Sequence, residues 1–178
     1  MSWAEIKAAS QSLREVGDGP ITDAWQKFCA IVQQTAGAPP YHLAILLTRI
    51  EQYRGARPKS EIAIFDHGCG GGLTLLYLAA RGYTNIYGND VGGNHSTQNR
   101  ITSEILQHDS PRFTINDGKT IALPDGSIDI VFSQQVLEHV DGVSVESYFS
   151  EEGRVLKSAG WAIHQIPHRL AACDSYTQ

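Results

Sequence analysis

The sequence predicts an α/β fold: an open parallel sheet with helices on both faces, preceded by N-terminal helices. Three observations predict it. From Glu61 onward, short apolar runs alternate with helical segments at βα spacing. The first of those runs ends in a glycine-rich turn that leads straight into a helix, the kind of junction at which open sheets bind ligands. The chain has 178 residues, 42% of them hydrophobic, which suits one domain with a core that needs no disulfide or metal to hold it.

The elements follow in order. Trp3, Ile6, Leu13 and Val16 have helical spacing, and Gly17-Asp18-Gly19-Pro20 stops that segment. Thr22 or Asp23 can cap a second helix carrying Trp25, Phe28, Cys29 and Val32. A break at Ala36–Pro40 precedes a third helix over Tyr41–Tyr53, with Leu43, Leu46, Leu47 and Ile50 as its apolar stripe. Residues 1–60 thus read as an N-terminal helical extension, and 61–178 as the α/β core. Strands are expected at Ile62–Asp66, Asn85–Asp90, Arg112–Asn116, Ile128–Ser133 and Trp161–Ile166. The expected core helices are Leu73–Arg81, Ser96–Gln107, Gln134–Val140 and Val145–Lys157.

Composition narrows the functional classes. Cys29, Cys69 and Cys173 are scattered and odd in number, which argues against a disulfide framework or zinc site and fits a reducing cytosol. No apolar run approaches a membrane span, and the N-terminus lacks a secretory pattern, so a cytoplasmic location is expected. Up to Ser60 there are seven Lys/Arg against five Asp/Glu; beyond it, seven against fourteen. That acidic remainder is a poor partner for a polyanion, so a small uncharged or cationic acceptor is expected rather than nucleic acid.

The glycine loop carries the first chemical signal. In IFDHGCGGGLTLLYLAARG, a strand ends at Asp66, four glycines fall within five positions, and a helix begins. Glycines allow tight turning and close backbone approach to a ligand, and the helix start adds free N–H groups. A dinucleotide site requires G-x-G-x-x-G. Read from Gly68 the third position is Leu73, and read from Gly70 it is Leu75, so both registers fail. A phosphate loop fails too, because no G-K-[ST] follows. The pattern present is acidic-x-G-x-G-x-G: Asp66, Gly68, Gly70, Gly72.

With three further segments in order, residues from about Glu61 to Arg169 resemble the class I S-adenosylmethionine (SAM)-dependent methyltransferases, which have a Rossmann-like sheet. NIYGNDV ends a strand at Asp90, about 20 residues past the loop, as a βαβ unit needs. NDGKTIALPDGSIDIVFSQQVLEHV, Asn116 to Val140, resembles the family's fourth-strand segment, and YFSEEGRVLKSAGWAIHQIPH its final helix, turn and fifth strand. Ser158-Ala159-Gly160 stands where Pro-Gly-Gly is commoner in the family, which should alter only the turn.

The resemblance implies that Asp66, His67, Gly68, Gly70 and Gly72 form the cofactor loop, and that Asp90, followed by Val91, accepts the ribose hydroxyls. It implies that Asp117 approaches the adenine amino group with Gly118 beside the ring, and that Ser133 and Gln134 line the methionine end. Two carboxylate oxygens can accept from both ribose hydroxyls, which is why an acidic residue suits position 90. The expected cofactor is SAM, with S-adenosylhomocysteine (SAH) as product.

Methyl transfer to an oxygen or nitrogen needs positioning and removal of a proton. His139, after the fourth strand, is the candidate base, whereas His67 is expected to contact cofactor or neighbours. His164 and His168 share i, i+4 spacing, but Pro167 and the strand context argue against a metal pair, and no metal is expected.

The family's sheet has seven strands, and this sequence provides for five. An unpaired fifth strand is a liability. Three arrangements resolve it: the chain is a fragment, a homodimer or partner chain covers that edge, or the N-terminal helices do. The functions in play are a small-molecule methyltransferase and a non-catalytic or partner-dependent SAM/SAH-binding module. By analogy, the N-terminal helices are expected to roof the site.

Overall fold

Four fully buried positions, Ile64 to His67, make β1 the centre of the sheet. The computed structural model describes residues 3–34, 39–118, 120–141 and 144–166. Helices α1 (Trp3–Glu15), α2 (Ile21–Gln34) and α3 (Tyr41–Arg54) precede β1. The core continues as α4 (Leu73–Ala80), β2 (Ile86–Asp90), α5 (Ser96–Arg100), β3 (Phe113–Ile115), β4 (Ile128–Gln134), α6 (Val145–Val155) and β5 (Leu156–Gln165). The strands are parallel in the order β3-β2-β1-β4-β5, so the carboxyl ends of β1 and its neighbours meet at one edge.

Both faces are covered. On one, Ile21, Trp25, Phe28 and Val32 of α2 and Leu43, Leu46, Leu47 and Ile50 of α3 form stripes at helical spacing. They share a single apolar cluster with Leu75 and Leu76 of α4, Phe113 of β3, and Ile130 and Phe132 of β4. On the other face Phe65, Val131 and Ile128 pack with Ile121 and Val155. The N-terminal helices therefore lie against the sheet face and also reach its carboxyl end, where Arg14 of α1 lines a cleft and the His42 carbonyl of α3 accepts Gln134 Nε2 at 3.4 Å.

Asp129 ties three elements together. Its buried carboxylate accepts Tyr53 Oη and Arg57 Nη1 (both 3.0 Å), the Ala63 N–H (3.0 Å) and Lys157 Nζ (2.6 Å). Burial pushes this carboxyl up, but those donors outweigh it and hold its pKa below the ordinary value.

Several elements depart from expectation, each for a local reason. Helix α2 starts at Ile21, so Thr22 and Asp23 sit inside its first turn. The helix expected over Ser96–Gln107 is α-helical only to Arg100 and continues as a π-helical turn, Ile101–Ile105. There the Thr102 and Ser103 hydroxyls donate to the Asn99 carbonyl, competing with the helical ladder. Gln134–Val140 is not a helix. Gln134 pairs with Gln165 as the end of β4, Gln135 has φ +55°, and only a short 3-10 turn follows at Leu137–His139.

Helix α6 stops at Val155, and Ser158-Ala159-Gly160 is a bulge inside β5 rather than a turn before it. Ile128 pairs with Leu156, yet Ile130 pairs with Trp161. A side chain at Gly160 would meet the Asp129 carbonyl at 3.1 Å, which fits the glycine there. Among the described residues β5 has a neighbour only on its β4 side. Tyr53 of α3 touches Trp161 edge-on at 5.4 Å without pairing that edge.

Candidate cofactor site

The loop after β1 folds back onto β2. The Gly68 and Cys69 N–H groups both donate to the Asn89 carbonyl, at 3.0 and 2.8 Å. Gly68 has φ +89°, and a Cβ there would lie 2.6 Å from Val136, so both backbone and space require glycine. Gly70 N–H donates to Asp90 Oδ2 at 2.7 Å, and Gly92 N–H to Asp90 Oδ1 at 3.2 Å. The Gly71 carbonyl accepts Gln98 Nε2 at 2.6 Å and Arg14 at 3.2 Å. The loop is thereby held from β2, α5 and α1 at once.

Two clefts meet at Asp90. One, of about 240 Å³, is lined by the Gly68 turn, Asp90, Val91, Gly118, Val136 and Tyr148 among others. The second, of about 440 Å³, runs from Arg14 past Gly70 and Gly71 to Gly92 and Thr97.

The residues singled out from sequence distribute unevenly over this site. His67, Gly68, Asp90, Val91, Gly118 and His139 line the first cleft, and Gly70 with Asp90 the second. Val91 stays 70% exposed, an apolar side chain left open at the cleft wall. Asp66 lies buried beneath the loop. Burial and, after it, the Asp90 charge push its carboxyl well above the ordinary range, favouring the protonated form. Gly72 caps α4 in the left-handed region with Phe113 against it, so its place is in the packing. Asp117 accepts the Thr120 N–H at 3.0 Å, as a turn former does. Ser133 and Gln134 face β5: Ser133 Oγ meets His164 Nδ1 at 2.9 Å, and Gln134 Nε2 meets Gln165 Oε1 at 2.5 Å. His168, Pro167 and Cys173 lie outside the described residues.

Sequence reading missed a buried polar cluster at the floor of the first cleft. His67 Nδ1 lies 2.9 Å from Glu152 Oε1, and His164 Nε2 lies 3.2 Å from Glu152 Oε2. The Tyr148 ring stacks on the His67 ring with centroids 3.8 Å apart and planes 6° from parallel, while its hydroxyl donates to the His67 carbonyl at 3.2 Å. Burial pushes the Glu152 carboxyl up, but His164 and His67 hold it below its ordinary value. Asn89, Asn116, Gln135 and Val140 complete the lining. The one local signal was Tyr148 and Glu152 at i, i+4 on a single helix face.

A glycine loop bonded to an acidic residue at the end of the next parallel strand invites comparison with known proteins. A family model for the methyltransferase domain matches residues 65–164, more than half of the chain. The chain belongs to this methyltransferase-domain family.

Relatives of the domain agree. It is 28% identical, over 124 residues, to the ubiquinone biosynthesis O-methyltransferase of Nitrosomonas europaea; the match covers 62% of this chain and 46% of that protein. Among solved structures, the PH0226 protein of Pyrococcus horikoshii OT3 superimposes with TM-score 0.56 at 22% identity, over 73% of this chain and 54% of that one. Geranyl diphosphate C-methyltransferase from Streptomyces coelicolor A3(2), solved with Mg2+, geranyl diphosphate and SAH, superimposes with TM-score 0.52 at 19% identity, over 68% and 43%. These two likenesses show the shared fold of the methyltransferase domain. The chain spans about half the length of the relatives it matches.

Proposed function

We propose that this chain binds SAM and transfers its methyl group to a small-molecule acceptor through oxygen or nitrogen. The observation that carries this reading is Asp90, whose carboxylate stands where both clefts meet and pins the glycine loop. The site fits the cofactor on its own terms. Asp90 offers two acceptor oxygens to a diol. Gly118 packs against Val91, where an added Cβ would lie 2.9 Å from Val91 Cγ1, so glycine there leaves the exposed Val91 side chain as an apolar wall of the cleft. Asp90, Val91, Gly118 and the Gly68–Gly70 turn would hold the nucleoside and amino-acid parts. Bound SAM supplies a methyl on a sulfonium, and the chain's residues need mainly to orient it and exclude water.

His139 lines the same cleft and is a candidate base. Among the described residues no helix is long and apolar enough to cross a membrane. Cytoplasmic residence is proposed from the cysteine usage, and a second copy or partner chain is proposed along the outer edge of β5. The acidic core favours a small molecule over nucleic acid as acceptor.

Calorimetry of the full chain with SAM, SAH and NAD tests the reading. Both adenosyl ligands should bind and NAD should not. Folded protein that binds neither SAM nor SAH overturns it. A second reading, a binding module that depends on further protein for catalysis, draws on the half-length coverage of its relatives. Tight SAH binding without methyl transfer across phenol and amine acceptors would favour that one.

A further inference from the structure

We propose that His67 is the proton acceptor of the first cleft, with Glu152 as its positioning residue, and that the cleft takes an acceptor whose O–H or N–H donates to His67 Nε2. The proposal rests on the methyltransferase reading and moves the base from His139 to His67.

Three observations lead there. First, Glu152 accepts from His67 Nδ1 at 2.9 Å, so the proton of the neutral ring sits on Nδ1 and the lone pair on Nε2. Second, His67 is 3% exposed and its Nε2 is buried with no hydrogen-bond partner among the described residues, although the residue lines the cleft. A buried acceptor left unpaired is costly, and a donor brought in by the cleft's occupant would satisfy it. Third, Glu152 is itself held in place from two sides, so it can fix the His67 ring. Its other oxygen, Oε2, lies 3.2 Å from His164 Nε2, and the far nitrogen of that ring, Nδ1, lies 2.9 Å from Ser133 Oγ.

The other charged groups around His67 leave this intact. On α6, Glu151 is neutralised by Arg154 at 2.8 Å, and Tyr148 is driven far above its ordinary pKa by burial, so it stays a phenol. Asp66, next in the strand, favours its protonated form, and Asp90 and His139 lie elsewhere along the cleft.

The step balances. The acceptor's oxygen or nitrogen forms a bond to the methyl carbon, the methyl–sulfur bond breaks with its electron pair going to sulfur, and the acceptor's proton passes to His67 Nε2. The proton then leaves to solvent, restoring the neutral ring.

The test uses the full chain labelled with ¹⁵N-histidine, with His67 signals assigned by their loss in His67→Gln. Long-range ¹H–¹⁵N spectra read which ring nitrogen carries the proton. The expected result is an Nδ1–H tautomer with the lone pair on Nε2. Glu152→Gln should weaken the preference for the Nδ1–H tautomer, and Glu152→Asp should recover part of it. With phenols and amines as acceptors and SAM at saturation, His67→Gln should reduce SAH release at least about 100-fold. An Nε2–H tautomer, a tautomer preference unmoved by Glu152→Gln, or a rate that falls in His139→Gln and not in His67→Gln overturns the proposal. Loss of SAH binding by the unsubstituted chain would instead strike the methyltransferase reading and leave the tautomer result standing.

Discussion

The Asp90 carboxylate accepts the Gly70 N–H at 2.7 Å, so the residue that ends β2 also anchors the glycine loop that follows β1. The Gly92 N–H uses its other oxygen. A carboxylate has about four lone-pair sites, so ribose hydroxyls can join these amides without displacing both. Asp90→Ala should therefore weaken SAH binding by about 1–3 kcal/mol, roughly 5- to 150-fold, through the lost acceptor and the loosened loop together. Calorimetry reads it directly, and an unchanged affinity would remove Asp90 from the site.

Two glycines of the same loop should respond differently. At Gly72, φ is +69° and an added Cβ would meet Phe113 at 2.7 Å inside the packed face. Gly72→Ala should cost about 1–3 kcal/mol of stability, seen in urea unfolding. At Gly68 the added Cβ meets Val136 at 2.6 Å, at the cleft wall. Gly68→Ala should therefore reduce SAH affinity more than Gly72→Ala does. Equal affinity losses at the two positions would contradict this division between packing and binding.

Asp129 makes stability depend on acid. Its folded pKa lies below the unfolded value because Lys157, the Ala63 amide, Arg57 and Tyr53 all donate to the ionised form. The stabilisation is present above the unfolded carboxyl pKa of about 4 and is lost as pH falls through the lower folded value. Asp129→Ala should cost about 1–3 kcal/mol near neutral pH, chiefly by leaving the buried Ala63 N–H unpaired, since Arg57 and Lys157 are partly exposed and can rehydrate. Unfolding followed at neutral pH and in acid should show the variant's deficit shrinking in acid. A deficit independent of pH would assign the cost to packing.

How much of this was legible in the sequence depends on the range of the interaction. The βα alternation, the glycine turn and Asp90 are local patterns, and the strand order with its ligand-binding edge followed from them. Gly72 carried the same signal as Gly68, because a left-handed glycine looks alike whether a ligand or Phe113 lies beyond it. Leu137-Glu138-His139 read as helix, but pairing of Gln134 with Gln165 drew the preceding residue into the sheet, and the turn at Gln135 left space for one 3-10 turn. The contact of His67 with Glu152 joins residues 85 positions apart, and no spacing rule reaches across that distance. An acidic residue in a helix next to Glu151 reads as solvated, and only the sheet beneath turns Glu152 inward.

The apolar cluster shared by α2, α3 and α4 has a practical corollary for anyone wishing to isolate the cofactor-binding part. A chain begun at residue 61 would strip the α1–α3 side chains from that cluster and expose apolar surface of α4, including Tyr77, whose ring Trp3 meets edge-on at 6.3 Å. Such a continuous greasy surface promotes self-association, and the shortened protein should precipitate or recruit chaperones. The minimal soluble unit is accordingly set by the far side of the sheet, and the first helices belong to it as fully as the glycine loop does.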